Sequence, residues 1–166
     1  MKYRRLDQEE LEELKTEFVN FLSSNTITAD DWQKIKAEDP KKAEGLIDIF
    51  SDIVFEKTLQ KIEYLEHRAK QGLNIFHCQA DKMVMVGLTV EGKSTLDFTK
   101  NQTPEEMITQ LRASGARLRM YQAEKNYDPN RSAELYKMME QGCLITNDHL
   151  FNTFMEMRGD EEETKA

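Results

Sequence analysis

Residues Gly87-Leu88-Thr89-Val90-Glu91-Gly92-Lys93-Ser94 match the phosphate-loop pattern G-x-x-x-x-G-K-[ST] letter for letter. In that motif backbone N–H groups wrap the phosphates, the lysine reaches the outer ones and the hydroxyl binds magnesium. The lysine and serine must also open a helix, whose N-terminus completes the anion site. Gly87, Gly92, Lys93 and Ser94 are therefore the candidate nucleotide-binding residues. The neighbours point elsewhere. Leu88-Thr89-Val90 prolongs the apolar alternation of a strand, and Glu91 puts a carboxylate where phosphate would sit. Thr95 to Thr99 alternates like a further strand, and Pro104 follows too soon for a crossover helix. A hairpin turning at Glu91–Gly92 accounts for the same residues, and it makes the nucleotide-binding reading the alternative.

A second constellation is acidic. Glu44, Asp48, Asp52 and Glu56 follow one another at i+4, so they form one ridge along a helix. Like charges at this spacing each cost about 0.2–0.5 kcal/mol in an isolated helix. Such a ridge either keeps the helix solvated or docks a basic partner. It is the candidate interaction surface. Glu63, His67, His77 and Cys78 do not reach a metal-site pattern, because zinc needs three or four converging ligands and no CxxC or HExxH supports them. Alternation puts His77 and Cys78 on opposite strand faces. His77 and Asp97 on one sheet face would be a weak acid–base pair. No catalytic residue, metal or cofactor is implied.

The elements that must position these residues are legible in part. Asp7 with Glu10, and Thr28 with Asp31, are helix-opening boxes, and they predict helices over 8–24 and 29–38. Asp39–Pro40 opens a long helix that runs to Lys70, with Gly72 beyond its end. Along it the apolar face turns by about a third of a rotation between Ala43–Val54 and Phe55–Ala69, which predicts two packing layers, a kink or a dimer contact. After Gly72 the period changes to two. Strands are expected at Gly72–Gln79, Lys82–Val90, Ser94–Thr99 and Ala116–Ala123. Thr103-Pro104 opens a helix, Asp128–Pro129 another, and Thr146 or Asn147 a last one. GDEEETKA, from Gly159, reads as a disordered acidic tail. The expected fold is α+β: a helical region over 1–71, then over 72–158 a small, mainly antiparallel four-stranded sheet with interspersed helices.

The chain has 166 residues and a net charge of −8. That charge opposes binding to nucleic acid, which needs a basic footprint. The basic clusters, Lys2-Arg4-Arg5 and Arg112-Arg117-Arg119, are sparse, and only Tyr121 follows the second. No apolar run approaches the ~20 residues that span a bilayer, and the N-terminal residues lack a signal-peptide core. These features place the protein in the cytoplasm, with Cys78 and Cys143 as reduced thiols.

The run TITADDWQKIKAEDPKKAEGLIDIFSDIVFEKTLQKIEYLEHR, with the FHC, LDFTK and PEEM segments, resembles an uncharacterised bacterial family of small cytoplasmic proteins of unknown function. The resemblance covers most of the chain and transfers no functional residue. The residues themselves lead to a non-enzymatic interaction or regulatory protein. Its expected partner is another protein or a second copy, bound through the helical half.

Overall fold

Helix starts are set by caps. In the computed structural model, which describes the backbone of residues 1–165 and the side chains of residues 1–159, Asp7 Oδ1 accepts the Glu10 N–H at 2.8 Å. Thr28 and Thr103 close capping boxes with Asp31 and Glu106 in the same way. The chain forms two units, Met1–Gln60 and Lys61–Ala166. The first contains α1 (Gln8–Glu13), α2 (Lys15–Ser24), α3 (Ala29–Glu38) and nearly all of α4 (Pro40–Lys61). A break at Leu14 splits the single helix expected over 8–24. An aromatic cluster holds this unit: Phe18 lies 5.1 Å from Trp32, edge to face, and 5.0 Å from Phe50, with Phe21 5.5 Å from Phe50. Trp32 is thus a bridge between helices.

The long helix ends at Lys61, nine residues before the expected Lys70. Tyr64–Ala69 is instead a strand, β1. Phe55 and Leu59 keep the turned apolar face within α4, whereas Leu65 and Ala69 belong to β1 and do not continue the helical stripe. The segment YLEHRA has no strong strand propensity of its own, and its conformation is set by pairing with both neighbours.

The second unit is one antiparallel sheet of five strands: β1, β2 (Gly72–Cys78), β3 (Lys82–Val90), β4 (Leu118–Asn126) and β5 (Leu144–Thr146). The order is β4-β3-β2-β1-β5. Four strands were expected. β1 and β5 are additions, and Ser94–Thr99 is a loop. That loop fails as a strand because its apolar residues are spent on the core: Leu96 and Phe98 are buried there. Gly92 has the expected positive φ, 77°. One sheet face carries Leu73, Ile75, Val84, Val86, Leu88 and Val90. On them pack Met107, Ile108 and Leu111 of α5 (Pro104–Ser114) and Leu150, Phe151 and Phe154 of α7 (His149–Lys165). Between β4 and β5 runs α6 (Arg131–Glu140), two residues later than Asp128–Pro129 suggests, with Asn130 as its cap. The guanidinium of Arg131 donates to the carbonyls of Ile62, Cys78 (3.1 Å) and Gln79 (3.2 Å). It ties α6 to the start of β1 and the end of β2. The backbone of α7 stays helical to Lys165 across the expected tail. Gly159 does not end it, since a mid-helix glycine costs only about 1 kcal/mol. Residue 166 lies outside the described residues.

Candidate functional site

The acidic ridge lies on α4 as the i+4 spacing demands. Glu44, Asp48, Asp52 and Glu56 span about 18 Å at 1.5 Å per residue. Four carboxylates in a row repel one another, so the ridge attracts whatever cations and N–H donors the chain can bring. It finds them in residues 1–6, MKYRRL, which form a strap along it. Asp52 accepts two consecutive backbone N–H groups, from Lys2 at 2.7 Å and Tyr3 at 2.8 Å. Glu56 accepts the Tyr3 hydroxyl at 2.6 Å and the Lys2 ammonium at 2.9 Å. Arg5 forks onto Asp48 at 2.6 and 3.1 Å, and its guanidinium reaches Glu44 at 4.0 Å.

Apolar contacts seat the strap between these charges. Tyr3 and Leu6 are buried, and the Tyr3 ring lies 5.7 Å from Phe55. The Leu6 N–H donates to Ser51 Oγ at 3.0 Å, and that fully buried hydroxyl donates in turn to the Ile47 carbonyl at 2.7 Å. Arg4 turns the other way. It lies over the Phe55 ring and forks onto Glu10. Exposed ion pairs are worth little singly. The doubly bonded Asp52 carboxylate and the two buried side chains are what fix the strap's register.

The charges respond as this geometry requires. The Arg5 hydrogen bond holds the Asp48 carboxyl below its usual range. Arg4, then the Asp7 N–H, hold Glu10 down at about 2. Burial raises the Tyr3 phenol, and its hydrogen bond to Glu56 raises it further.

The phosphate-loop letters fall elsewhere. Gly87 sits inside β3, opposite Asn74 and Tyr121 in register. The Tyr121 ring covers it and donates its hydroxyl to Asn74 Oδ1. A Cβ on Gly87 would stand 2.5 Å from Tyr121 Cε2. Two of the N–H groups within the motif are committed inside the chain: Val90 to the Gln71 carbonyl and Glu91 to that of Arg117, both at 2.9 Å. Gly92 and Lys93 form a bend, Ser94 accepts the Leu96 N–H at 3.1 Å, and the next helix begins only at Pro104.

The histidines and cysteines do not converge. His77 stacks on Tyr64 at 4.6 Å and meets Phe151 edge-on. Asp97 has left the sheet and accepts the Thr99 N–H at 3.0 Å. Burial pushes the Cys78 thiol up to about 12. Among the described residues no three His, Cys, Asp or Glu side chains gather as a metal site, and no helix is long and apolar enough to cross a membrane.

The ridge residues were legible from spacing, but their occupant was not. The available signal was complementarity: four carboxylates in a row on α4 and three cations within residues 2–5. No curated protein and no solved structure matches the chain. One family does, along nearly its whole length: the chain belongs to the family of unknown function DUF6495, which it matches over residues 1–159.

Proposed function

We infer that this is a non-enzymatic interaction protein whose α4 ridge receives a basic segment carrying an aromatic and an aliphatic side chain. The chain's own strap is that ridge's internal ligand. One observation carries the reading: every ridge carboxylate is within 4.0 Å of a cation or N–H donor from residues 2–5. A surface that selects a Lys-Tyr-Arg pattern by charge and by apolar contact can take the same pattern from a protein partner, wherever the strap yields. The tethered strap competes at the millimolar effective concentrations typical of short linkages. A partner therefore gains access only as the strap loosens, which makes the device regulatory. A second copy presents the same strap, so exchange of straps would give a dimer through these same contacts.

The test is a fluorescently labelled peptide of residues 1–6 titrated with the full chain, followed by anisotropy. Binding should saturate, and Asp48→Lys with Asp52→Lys should weaken it at least tenfold. Equal binding by the charge-reversed protein would refute the docking role of the ridge. Light scattering of the same samples reads out strap exchange.

A further inference from the structure

The first unit carries a groove that neither the strap nor the ridge lines. It measures about 450 Å³ and opens between the α1–α2 segment and α3. That volume falls within the range of small-molecule sites, about 300–1,000 Å³.

The groove has two different ends because of how its helices run. The turn over 25–28 reverses the chain, so α3 returns along α2 as a helical hairpin. The edge contact of Phe18 with Trp32, at 5.1 Å, lies partway along the pair. Toward the turn the walls are Val19, Leu22 and Ile27, and with Phe18 and Trp32 they make an apolar trough. At the open end stand two lysines: Lys15 is the first residue of α2, and Lys36 lies in the last turn of α3.

The apolar walls are not used up by the unit's own packing. Leu22 is buried, but Phe18, Ile27 and Trp32 are only half-buried and Val19 is 51% exposed. A contiguous apolar surface left open to water marks a place where something else docks.

The lysines are equally uncommitted. Neither makes a hydrogen bond or an ion pair among the described residues. The Lys36 ammonium lies 5.8 Å from the centre of the Trp32 ring, which keeps its charge at the rim of the trough. Glu12, three residues before Lys15, is the one acidic residue in the lining, so the lining carries two cations against one anion. Gln8 and Gln33 add amide donors.

We propose that this groove binds a small amphiphile, an aliphatic chain that carries one carboxylate. The chain lies against Phe18, Val19, Ile27 and Trp32, and its burial removes apolar surface of both partners from water. The carboxylate accepts charge-assisted hydrogen bonds from the Lys15 and Lys36 ammonium groups. The two-ended lining fixes the orientation, with the head at the open end of the hairpin and the tail toward the turn.

The experiment titrates the full chain with decanoate, decanol and acetate, below micelle-forming concentrations and at ionic strength held constant with chloride. The heat of binding gives the affinity. Trp32 is the only tryptophan, so its emission reports the place. Decanoate should saturate and shift the Trp32 emission. Decanol, the same chain without the charge, should bind at least fivefold more weakly, and acetate, the head without the chain, should give neither signal. Lys15→Gln with Lys36→Gln, two exposed changes, should bring decanoate down to the affinity of decanol. Val19→Asp at the exposed lip should weaken both at least tenfold, while Lys93→Gln should change neither. No saturation with decanoate, heat without a change in Trp32 emission, decanol binding as tightly as decanoate, saturation by acetate, a charge preference that survives the double substitution, or binding that survives Val19→Asp would overturn the proposal.

Discussion

Tyr121 lies across Gly87, and the contact explains a glycine that a phosphate loop would otherwise claim. A glycine inside a strand is weak in itself, and an aromatic neighbour covering it restores the packing. The space is full, since a Cβ would stand 2.5 Å from one ring atom and 2.6 Å from the next. Gly87→Ala should therefore cost about 1–3 kcal/mol by overpacking. Urea unfolding measures this, and Tyr121→Leu in the same chain should recover part of it. An unchanged midpoint for Gly87→Ala would show that the ring moves aside freely. Lys93 and Ser94 were legible only as letters. What they do depends on whether a helix follows, and that is decided by Leu96 and Phe98 being drawn into the core.

Elements were legible where local chemistry fixes them. The three capping boxes, the positive φ of Gly92 and the strands over Gly72–Cys78 and Lys82–Val90 follow from caps, φ requirements and alternation. Elements fixed by pairing were not legible. β1 carries Glu, His and Arg and looks helical in isolation, while β5 has three residues and no pattern long enough to read. At the ridge the same limit applies, since a helix face announces its charge but not its occupant.

The strap's attachment has a pH window that follows from its pairs. Asp48 and Glu10 titrate below their ordinary values of 3.8 and 4.5, because Arg5 and Arg4 favour the charged forms. A carboxyl whose pKa is depressed on folding contributes stability above its unfolded pKa and loses it as pH falls through the folded one. The Arg4–Glu10 pair should hold from neutral pH down to about 4.5 and release between there and about 2, and the Arg5–Asp48 pair should let go only below the ordinary carboxylate value of 3.8. The Arg5 Nε–H resonance reports it: a constant shift above that window and collapse within it are expected. A constant shift down to pH 2 would show that the carboxylates do not hold the strap.

At the scale of the whole chain, a net charge of −8 is distributed with purpose. The four ridge carboxylates face the cations and N–H donors of residues 2–5. Each unit carries its own core, an aromatic cluster in the first and mixed aliphatic and aromatic side chains against the sheet in the second. Overall charge sets an expectation about broad classes of partner, but only the folded register shows which charges are already spent.

The central claim is that the strap occupies a docking surface, and its most direct test is the apparent affinity of the labelled strap peptide for two proteins. One is the unaltered chain. The other carries Tyr3→Ala and Arg5→Ala, which remove a buried anchor and an ion pair of the internal ligand and leave the ridge intact. An internal competitor lowers apparent affinity by the fraction of time it occupies the site. The altered chain should therefore bind the peptide at least tenfold more tightly than the unaltered one. Equal affinity, or no binding by either, would contradict the account.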